Sequence, residues 1–164
     1  MTRFTGKKIA YICIRYALIV IVVAAIVFFL AQKTESRTPF EDVASAVKAE
    51  LNSPKMVENS DRYLKKYFDM NAEDFENVLI YTPLTNMDAE ELLLIRLKDS
   101  AQTDAVLAAI DARISRQLEI YEGYAPEQVA QLNAGVIDSQ GNYIFYMIGD
   151  NAEEVDNTFR NALK

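Results

Sequence analysis

The chain has 164 residues, a formal net charge of −7 and no histidine, and its single cysteine is Cys13. Beyond that position it therefore lacks the usual zinc ligands, the commonest general base and the thiol nucleophile. The acidic balance argues against nucleic acid as a partner. The length is enough for one ordinary domain with a real hydrophobic core.

The most apolar stretch lies close to the N-terminus. Residues 16–31 carry no charge, and an extension back to residue 9 makes a segment of 23 residues with Arg15 as its one charge. At ~1.5 Å of rise per residue, a helix of this length crosses a hydrocarbon core of ~30 Å. The sequence therefore predicts a transmembrane helix over 9–31, after a basic tail at 1–8 and before a short tether at 32–37.

The distribution of charge predicts the orientation of this helix. The first 31 residues hold four basic residues and no acid, whereas the rest of the chain holds 13 basic and 24 acidic residues, a net charge of −11. The positive-inside rule places the N-terminus in the cytoplasm and residues 32–164 outside, so that 38–164 form the extracytoplasmic domain of a single-pass protein. A cleaved signal peptide is the alternative. It is disfavoured because the large Phe29 lies two residues before the candidate cleavage position, Ala31.

Two helices are predicted at the start of the extracytoplasmic domain. Thr38 suits an N-cap, Pro39 the first helical position and Glu41 a capping box, so a helix should begin here. The spacing of apolar residues predicts a second helix over 61–68 and a single turn over 72–75.

Two strands and two helices should follow. The β-rich segment 76–82 ends at Pro83 and predicts a strand, and 91–97 predicts another. Because 91–97 is almost continuously apolar, we expect it to be central in a sheet or buried on both faces. An apolar stripe predicts a long helix over 100–121, and a shorter helix should cover 126–133.

The C-terminal part predicts a β-hairpin and a last helix. Strands over 135–139 and 142–148 flank the turn Gln140-Gly141, and a helix should cover 152–163. The expected fold class is α+β, with a mainly antiparallel four-stranded sheet and the element order α-α-β-β-α-α-β-β-α. One face of the sheet should be covered by both the long helix and the C-terminal helix.

Several short motifs, in this order and spacing, resemble a known bacterial family. They are Tyr81 and Pro83, the pair Glu90-Glu91, the run Tyr121–Gln128, the triplet Gly141-Asn142-Tyr143 and Phe159. Across roughly residues 40–164 the chain is similar to the bacterial domain-of-unknown-function family 4358. The resemblance implies a secreted or membrane-anchored protein, mainly of Firmicutes, and an association with envelope acyltransferase operons. It carries over no catalytic residue.

The segment after the long helix is the candidate interaction surface. Tyr121, Tyr124, Pro126 and Glu127 combine tyrosines, which offer apolar area and a hydroxyl, with a rigid proline and an acid. The plainer interpretation is a corner between two helices. In that case Tyr121 packs inward as a continuation of the apolar stripe, and Pro126 begins the next helix.

Three further groups each have a functional and a structural interpretation. Residues 138–142 loosely resemble a calcium loop, or they form a hairpin turn. Asp88, Glu90 and Glu91 are candidates for acid–base chemistry, or they form a solvated strand edge on which adjacent acids point apart. Arg96 needs a carboxylate partner if it is partly buried, or it reaches solvent at the end of its strand.

These features favour a non-enzymatic binding or scaffolding module on the outer face of a bacterial membrane. Its partner should be a membrane or envelope protein, and we expect no metal, cofactor or nucleic acid. One alternative is an accessory subunit of an acyltransferase-type membrane complex that modifies the cell envelope. Another is a carboxylate-based enzyme, which requires a concave pocket with two convergent acids and a raised carboxyl pKa.

Overall fold

The computed structural model describes residues 14–23 and 36–164, and the chain divides into two units after residue 34. Residues 14–23, in the first unit, are helical. The rest of the predicted membrane helix 9–31 lies outside the described residues, as do the tail 1–8 and the tether up to residue 35. Among the described helices, none combines the length and the apolar character needed to cross a membrane.

The second unit is an α+β domain with one antiparallel sheet. In chain order its elements are α1 (Phe40–Glu50), β1 (Met56–Asn59), α2 (Arg62–Phe68), β2 (Asn77–Pro83), β3 (Glu91–Arg96), α3 (Thr103–Tyr121), α4 (Pro126–Asn133), β4 (Val136–Gln140), β5 (Tyr143–Ile148) and α5 (Ala152–Ala162). Single 3₁₀ turns cover Ala72–Asp74 and Ser100–Gln102. The strand order is β1-β2-β3-β5-β4, and every neighbouring pair is antiparallel. The predicted fold class is confirmed.

The prediction of four strands is wrong, because β1 adds a fifth at the edge of the sheet. Met56 pairs with Pro83 and Asn59 with Ile80, so this short strand lies along the end of β2. Met56 is buried, whereas Val57 and Glu58 both face solvent. The strand therefore shows no alternation that a sequence pattern could reveal, and pairing with β2 creates it.

Helices cover both faces of the sheet, which corrects the prediction that one face carries both long helices. Along β3, Leu93 and Ile95 belong to a core with residues of α2, α3 and α4, whereas Leu92 and Leu94 belong to a core with residues of α1 and α5. The long helix α3 and the C-terminal helix α5 thus lie on opposite faces. All four of these β3 side chains are fully buried, which confirms that this strand is central and covered on both faces.

The start of α1 differs from the predicted capping box. The N-cap residue is Pro39 and no side chain caps the helix. Thr38 is engaged elsewhere, because its carbonyl oxygen accepts a 2.8 Å hydrogen bond from the Tyr143 hydroxyl and its hydroxyl lies 3.2 Å from that of Ser36. The ring of Phe40 stacks on that of Tyr143 at 6.3 Å, so contact with β5 fixes the beginning of α1.

Candidate functional site

Four loops meet at one end of the sheet, which we term the acidic end: 51–55, 84–90, 122–125 and 149–151. The strand register places Met56 opposite Pro83 and Glu91 opposite Ile148, so three of these loops share an end. The fourth loop follows α3 and joins them through Tyr121. The Tyr121 hydroxyl lies 3.1 Å from the carbonyl oxygen of Asn86 and 2.9 Å from that of Asp88.

The acidic end concentrates negative charge around one lysine. Lys55 is the one basic residue in these four loops, and residues 117–159 contain no lysine or arginine. The Lys55 ammonium lies 3.0 Å from a carboxylate oxygen of Glu90. That contact first, and the fields of Asp150 and Asp88 after it, raise the pKa of Lys55 although desolvation opposes the shift.

A cleft of about 380 Å³ opens beside this ion pair, and its lining includes Glu50, Lys55, Glu90, Asp150 and Glu154. Glu90 is only 3 % exposed, and its second carboxylate oxygen accepts a hydrogen bond from the Ser53 hydroxyl. The innermost acid of the cleft is therefore already paired, while the other three acids stand around it.

The neighbouring acid, Glu91, points to the opposite face of the sheet. It is 1 % exposed, and Arg113 of α3 binds it through Nε, at 3.2 Å from both oxygens, and through an Nη at 2.9 Å. The Tyr146 hydroxyl donates a further bond of 2.7 Å. Burial, followed by the charge of Glu91, raises the pKa of Tyr146 well above its usual value.

The interpretation of Glu90 and Glu91 as a solvated edge is therefore wrong, because both side chains are buried. Each has its own cation, Lys55 for Glu90 and Arg113 for Glu91, since a buried carboxylate requires a partner. The two acids do point apart, as expected for neighbours on a strand. They do not converge on one reacting centre.

The structure separates the four residues of the predicted interaction surface. Tyr121 is buried, whereas Tyr124, Pro126 and Glu127 are exposed. Burial raises the pKa of the Tyr121 hydroxyl, which the β2–β3 loop holds. The centre of the Tyr124 ring lies 6.0 Å from that of the Tyr121 ring, and Tyr124 as a residue is 55 % exposed. Tyr121 thus supports the segment from inside, and the other three residues form its outer surface.

Two exposed apolar residues near Tyr121 are not among the residues predicted from the sequence. Met87 is 60 % exposed and lies between the two residues whose carbonyls face the Tyr121 hydroxyl, and Ile120 is 57 % exposed at the end of α3. A methionine in a polar turn and an isoleucine outside the apolar stripe are the signals that could have found them. Met87, Ile120 and Tyr124 are termed the Tyr124 patch.

Residues 138–142 form the β4–β5 hairpin rather than an open loop of ligands. Gly141 takes a left-handed conformation with φ of 60°, and the Asp138 carboxylate accepts hydrogen bonds from Arg160 Nε at 2.7 Å and from Gln140 at 3.0 Å. In the part of the chain that the structure describes, no group of three or more cysteine or carboxylate side chains could hold a metal ion.

Asp156 is the buried carboxyl with a raised pKa. Burial is the main cause and the nearby charge of Asp138 adds to it, while Arg160 opposes the shift. One Asp156 oxygen lies 2.9 Å from Arg160, and the other has no hydrogen-bond partner. Asp156 does not line the cleft beside Glu90. The convergent acids and the raised carboxyl pKa that an enzyme would need therefore occur in different places.

Arg96 has the carboxylate partner expected of a partly buried arginine. Its side chain is 19 % exposed and its Nε lies 3.2 Å from a Glu76 oxygen. The guanidinium also lies 5.6 Å from the centre of the Tyr143 ring, a cation–π distance. The interpretation of Arg96 as a partly buried side chain with a carboxylate partner is confirmed, and the residue belongs to the end of the sheet opposite the acidic end.

Comparison with known families identifies one match. Residues 48–149 match a family model described as a domain of unknown function, DUF4358. This range begins in α1 and ends just after β5, so it contains all five strands and the acidic end up to Gly149. Neither a curated protein nor a solved structure matches the chain.

Proposed function

The chain belongs to the family of the domain of unknown function DUF4358, and on that premise we propose that it is a membrane-anchored, extracytoplasmic binding or scaffolding module. Its partner is a membrane or envelope protein, and its chemistry is recognition rather than catalysis. The Tyr124 patch is the observation that carries the binding role, because Tyr121 brings the Met87 loop and Tyr124 close together, and grouped exposed apolar side chains mark interaction sites.

The placement in the membrane is supported by the sequence. The segment 9–31 is long enough to span a bilayer, and the four basic residues of the first 31, with no acid among them, favour a cytoplasmic N-terminus. The acidic domain that follows is repelled by anionic lipid. With six residues, the segment 32–37 is short enough to serve as the tether of the proposed anchored domain.

The non-enzymatic character is supported by the arrangement of acids. Glu90 and Glu91 point to opposite faces of the sheet and each is neutralised by its own cation. Asp156, whose pKa is raised, is separate from the cleft. Glu50, Asp150 and Glu154 share the cleft with Glu90, but Glu90 is already paired with Lys55 and the carboxyl whose pKa is raised lies elsewhere, so the arrangement favours recognition over catalysis.

The proposal is tested by crosslinking in the native membrane. Photoreactive p-benzoylphenylalanine in place of Tyr124 should yield one reproducible protein adduct in cells, because the aromatic side chain is retained at the patch. The matched control carries the same residue in place of Ile137, which is 38 % exposed on the edge strand β4. Position 137 should give that adduct at a several-fold lower yield.

Equal yields at the two positions, or no adduct at either, would contradict the proposal. The identity of the adduct also distinguishes the two forms of the function. An adduct with a membrane-bound acyltransferase would make the domain an accessory subunit of an envelope-modifying complex. An adduct with another envelope protein would make it an independent scaffold.

A further inference from the structure

We infer that the acidic end is a docking surface for a basic segment of a partner protein, which places an apolar side chain against the Tyr124 patch. The inference deepens the proposed binding function, because it names the surface and the chemistry of what it binds. Its support comes from three properties of the acidic end: uncompensated charge, exposed apolar area and the location of residues 36–39, the first described residues of the domain, at the other end of the sheet.

The charge of the acidic end is mostly uncompensated. Glu90 is neutralised by Lys55, but no lysine or arginine of the described chain lies within ion-pair distance of Glu50, Asp88, Asp150 or Glu154. Elsewhere in the domain, the cations of Lys48, Lys65, Arg96, Arg113 and Arg160 each hold an acid within 3.2 Å. Exposed acids such as Glu73 and Asp74 are in no ion pair with the described residues either, so the acidic end is distinguished by the grouping of Glu50, Asp150 and Glu154 around one cleft. A cationic segment would supply the missing counter-charge, which steers association and selects the partner.

The apolar component is built on a fixed support. Tyr121 is buried and its hydroxyl is held by backbone carbonyls of the β2–β3 loop, so the residues around it are anchored. Met87, Ile120 and Tyr124 lie near this support in the chain or through its contacts, and each of these residues is more than half exposed. Tyrosine and methionine suit the centre of an interface for different reasons: tyrosine offers a large aromatic area with a hydroxyl, and the flexible methionine adapts to an apolar partner.

The acidic end is also free of the first described residues of the domain. The Ser36 backbone N–H donates to the Asn142 side chain at 3.1 Å, and the Tyr143 hydroxyl binds the Thr38 carbonyl. Both contacts lie at the start of β5, whereas the acidic end lies beyond Ile148 at its finish. Residues 36–39 therefore do not cover the proposed surface.

A basic protein segment fits these properties better than anionic lipid, a nucleic acid or a free cation does. Anionic lipid headgroups and nucleic acids would be repelled by the acidic end. A free small cation would satisfy the charge but would leave the apolar area exposed. A segment with lysine or arginine beside a large apolar residue satisfies both, as in the docking of a basic amphipathic stretch.

The test uses the full-length protein in nanodiscs of phosphatidylcholine, with empty nanodiscs subtracted. The probes are three fluorescent synthetic peptides of equal length. The first is composed of leucine and lysine, the second of leucine and glutamate, and the third of serine and lysine. Binding of the leucine–lysine peptide should be the strongest by at least about tenfold in Kd, and it should weaken with added salt. The leucine–glutamate peptide should not bind.

Matched variants locate the binding on the protein. The double variant Met87→Ser with Tyr124→Ser should weaken binding of the leucine–lysine peptide by about tenfold in Kd. The double variant Asp150→Asn with Glu154→Gln should weaken binding several-fold and reduce its dependence on salt. The controls are Ile137→Ser and the exposed pair Glu73→Gln with Asp74→Asn, which lie outside the acidic end. The controls should bind as the unaltered protein does.

Two results would overturn the inference: equal weakening by the control variants, or binding of the leucine–glutamate peptide as tightly as the leucine–lysine peptide. These outcomes are separable from failure of the proposed function. A specific adduct from position 124 in cells, together with no preference for the cationic peptide, would keep the binding module and reject the basic partner.

Discussion

Replacement of Arg113 by methionine is expected to destabilise the domain by about 3–5 kcal/mol. Glu91 is 1 % exposed and would lose the cation that holds both of its oxygens. The Gln117 side chain also faces this pair. With its amide oriented to satisfy both neighbours, it donates to Glu91 at 3.1 Å and accepts from Arg113 at 2.9 Å. A substitution that leaves a buried carboxylate without its partner is among the most destabilising single changes in a core.

The free energy of unfolding from urea denaturation, followed by tyrosine fluorescence, measures this effect. Arg116→Met is the matched control on the same helix, because Arg116 is exposed and its side chain binds a single backbone carbonyl, that of Tyr67. It should cost less than about 1 kcal/mol. In the double variant Glu91→Leu with Arg113→Met, part of the lost stability should return, since no charge remains buried. The recovery should be incomplete because the buried Tyr146 hydroxyl and Gln117 lose their partners. A cost for Arg113→Met no larger than that of the control would refute the assigned role.

Phe159→Ala is expected to cost about 3–5 kcal/mol, because it leaves a large cavity between α5 and the sheet. The Phe159 ring is fully buried, stacks on Phe145 at a centroid distance of 5.2 Å and meets the Tyr143 ring edge-on at 6.4 Å. The same denaturation experiment measures the loss. Asn157→Ala on the exposed side of α5 should change stability by less than about 0.5 kcal/mol.

Combining the two core variants tests the two-faced architecture. Phe159 belongs to the core between the sheet and α1 and α5, and Arg113 reaches the opposite face from α3. Because the sites share no partner, their costs should add to within about 0.5 kcal/mol. A coupling well above that value would mean that the two helices share one core.

Most of the fold follows from local pattern, because amphipathic spacing and turn residues are local properties. The strand β3 is an example, since its unbroken apolar run predicts burial on both faces before any partner is known. The edge strand β1 shows the limit of this reasoning. Its four residues bury one side chain, and its conformation depends on pairing with β2, which lies more than twenty residues further along the chain.

The assignment of helices to faces also lies beyond local pattern. The apolar stripes of α3 and α5 show that each helix has a buried side, but not which face of the sheet that side meets. The burial of Glu90 and Glu91 has the same origin. Lys55 and Arg113 neutralise them from distant positions in the chain, so charge alone made these acids resemble a solvated edge.

The candidate surface was partly predictable for a similar reason. Tyr124 and Pro126 lie in a segment whose glycine and proline predict an exposed turn. Met87 lies in a different loop and becomes part of the surface because the Tyr121 hydroxyl binds the carbonyls on either side of it. The sequence of either loop alone therefore does not predict a surface that both loops form together.

The central claim is that an anchored domain acts outside the cell membrane, and cysteine accessibility tests it most directly. Cys13 is the natural cysteine, and the exposed Asn157 on α5 can be changed to cysteine in a Cys13→Ser background. In intact cells a membrane-impermeant maleimide should label the Asn157→Cys protein, whereas the natural protein should be labelled only after the membrane is dissolved. Labelling of Asn157→Cys that requires dissolution of the membrane would place the domain inside and contradict the account.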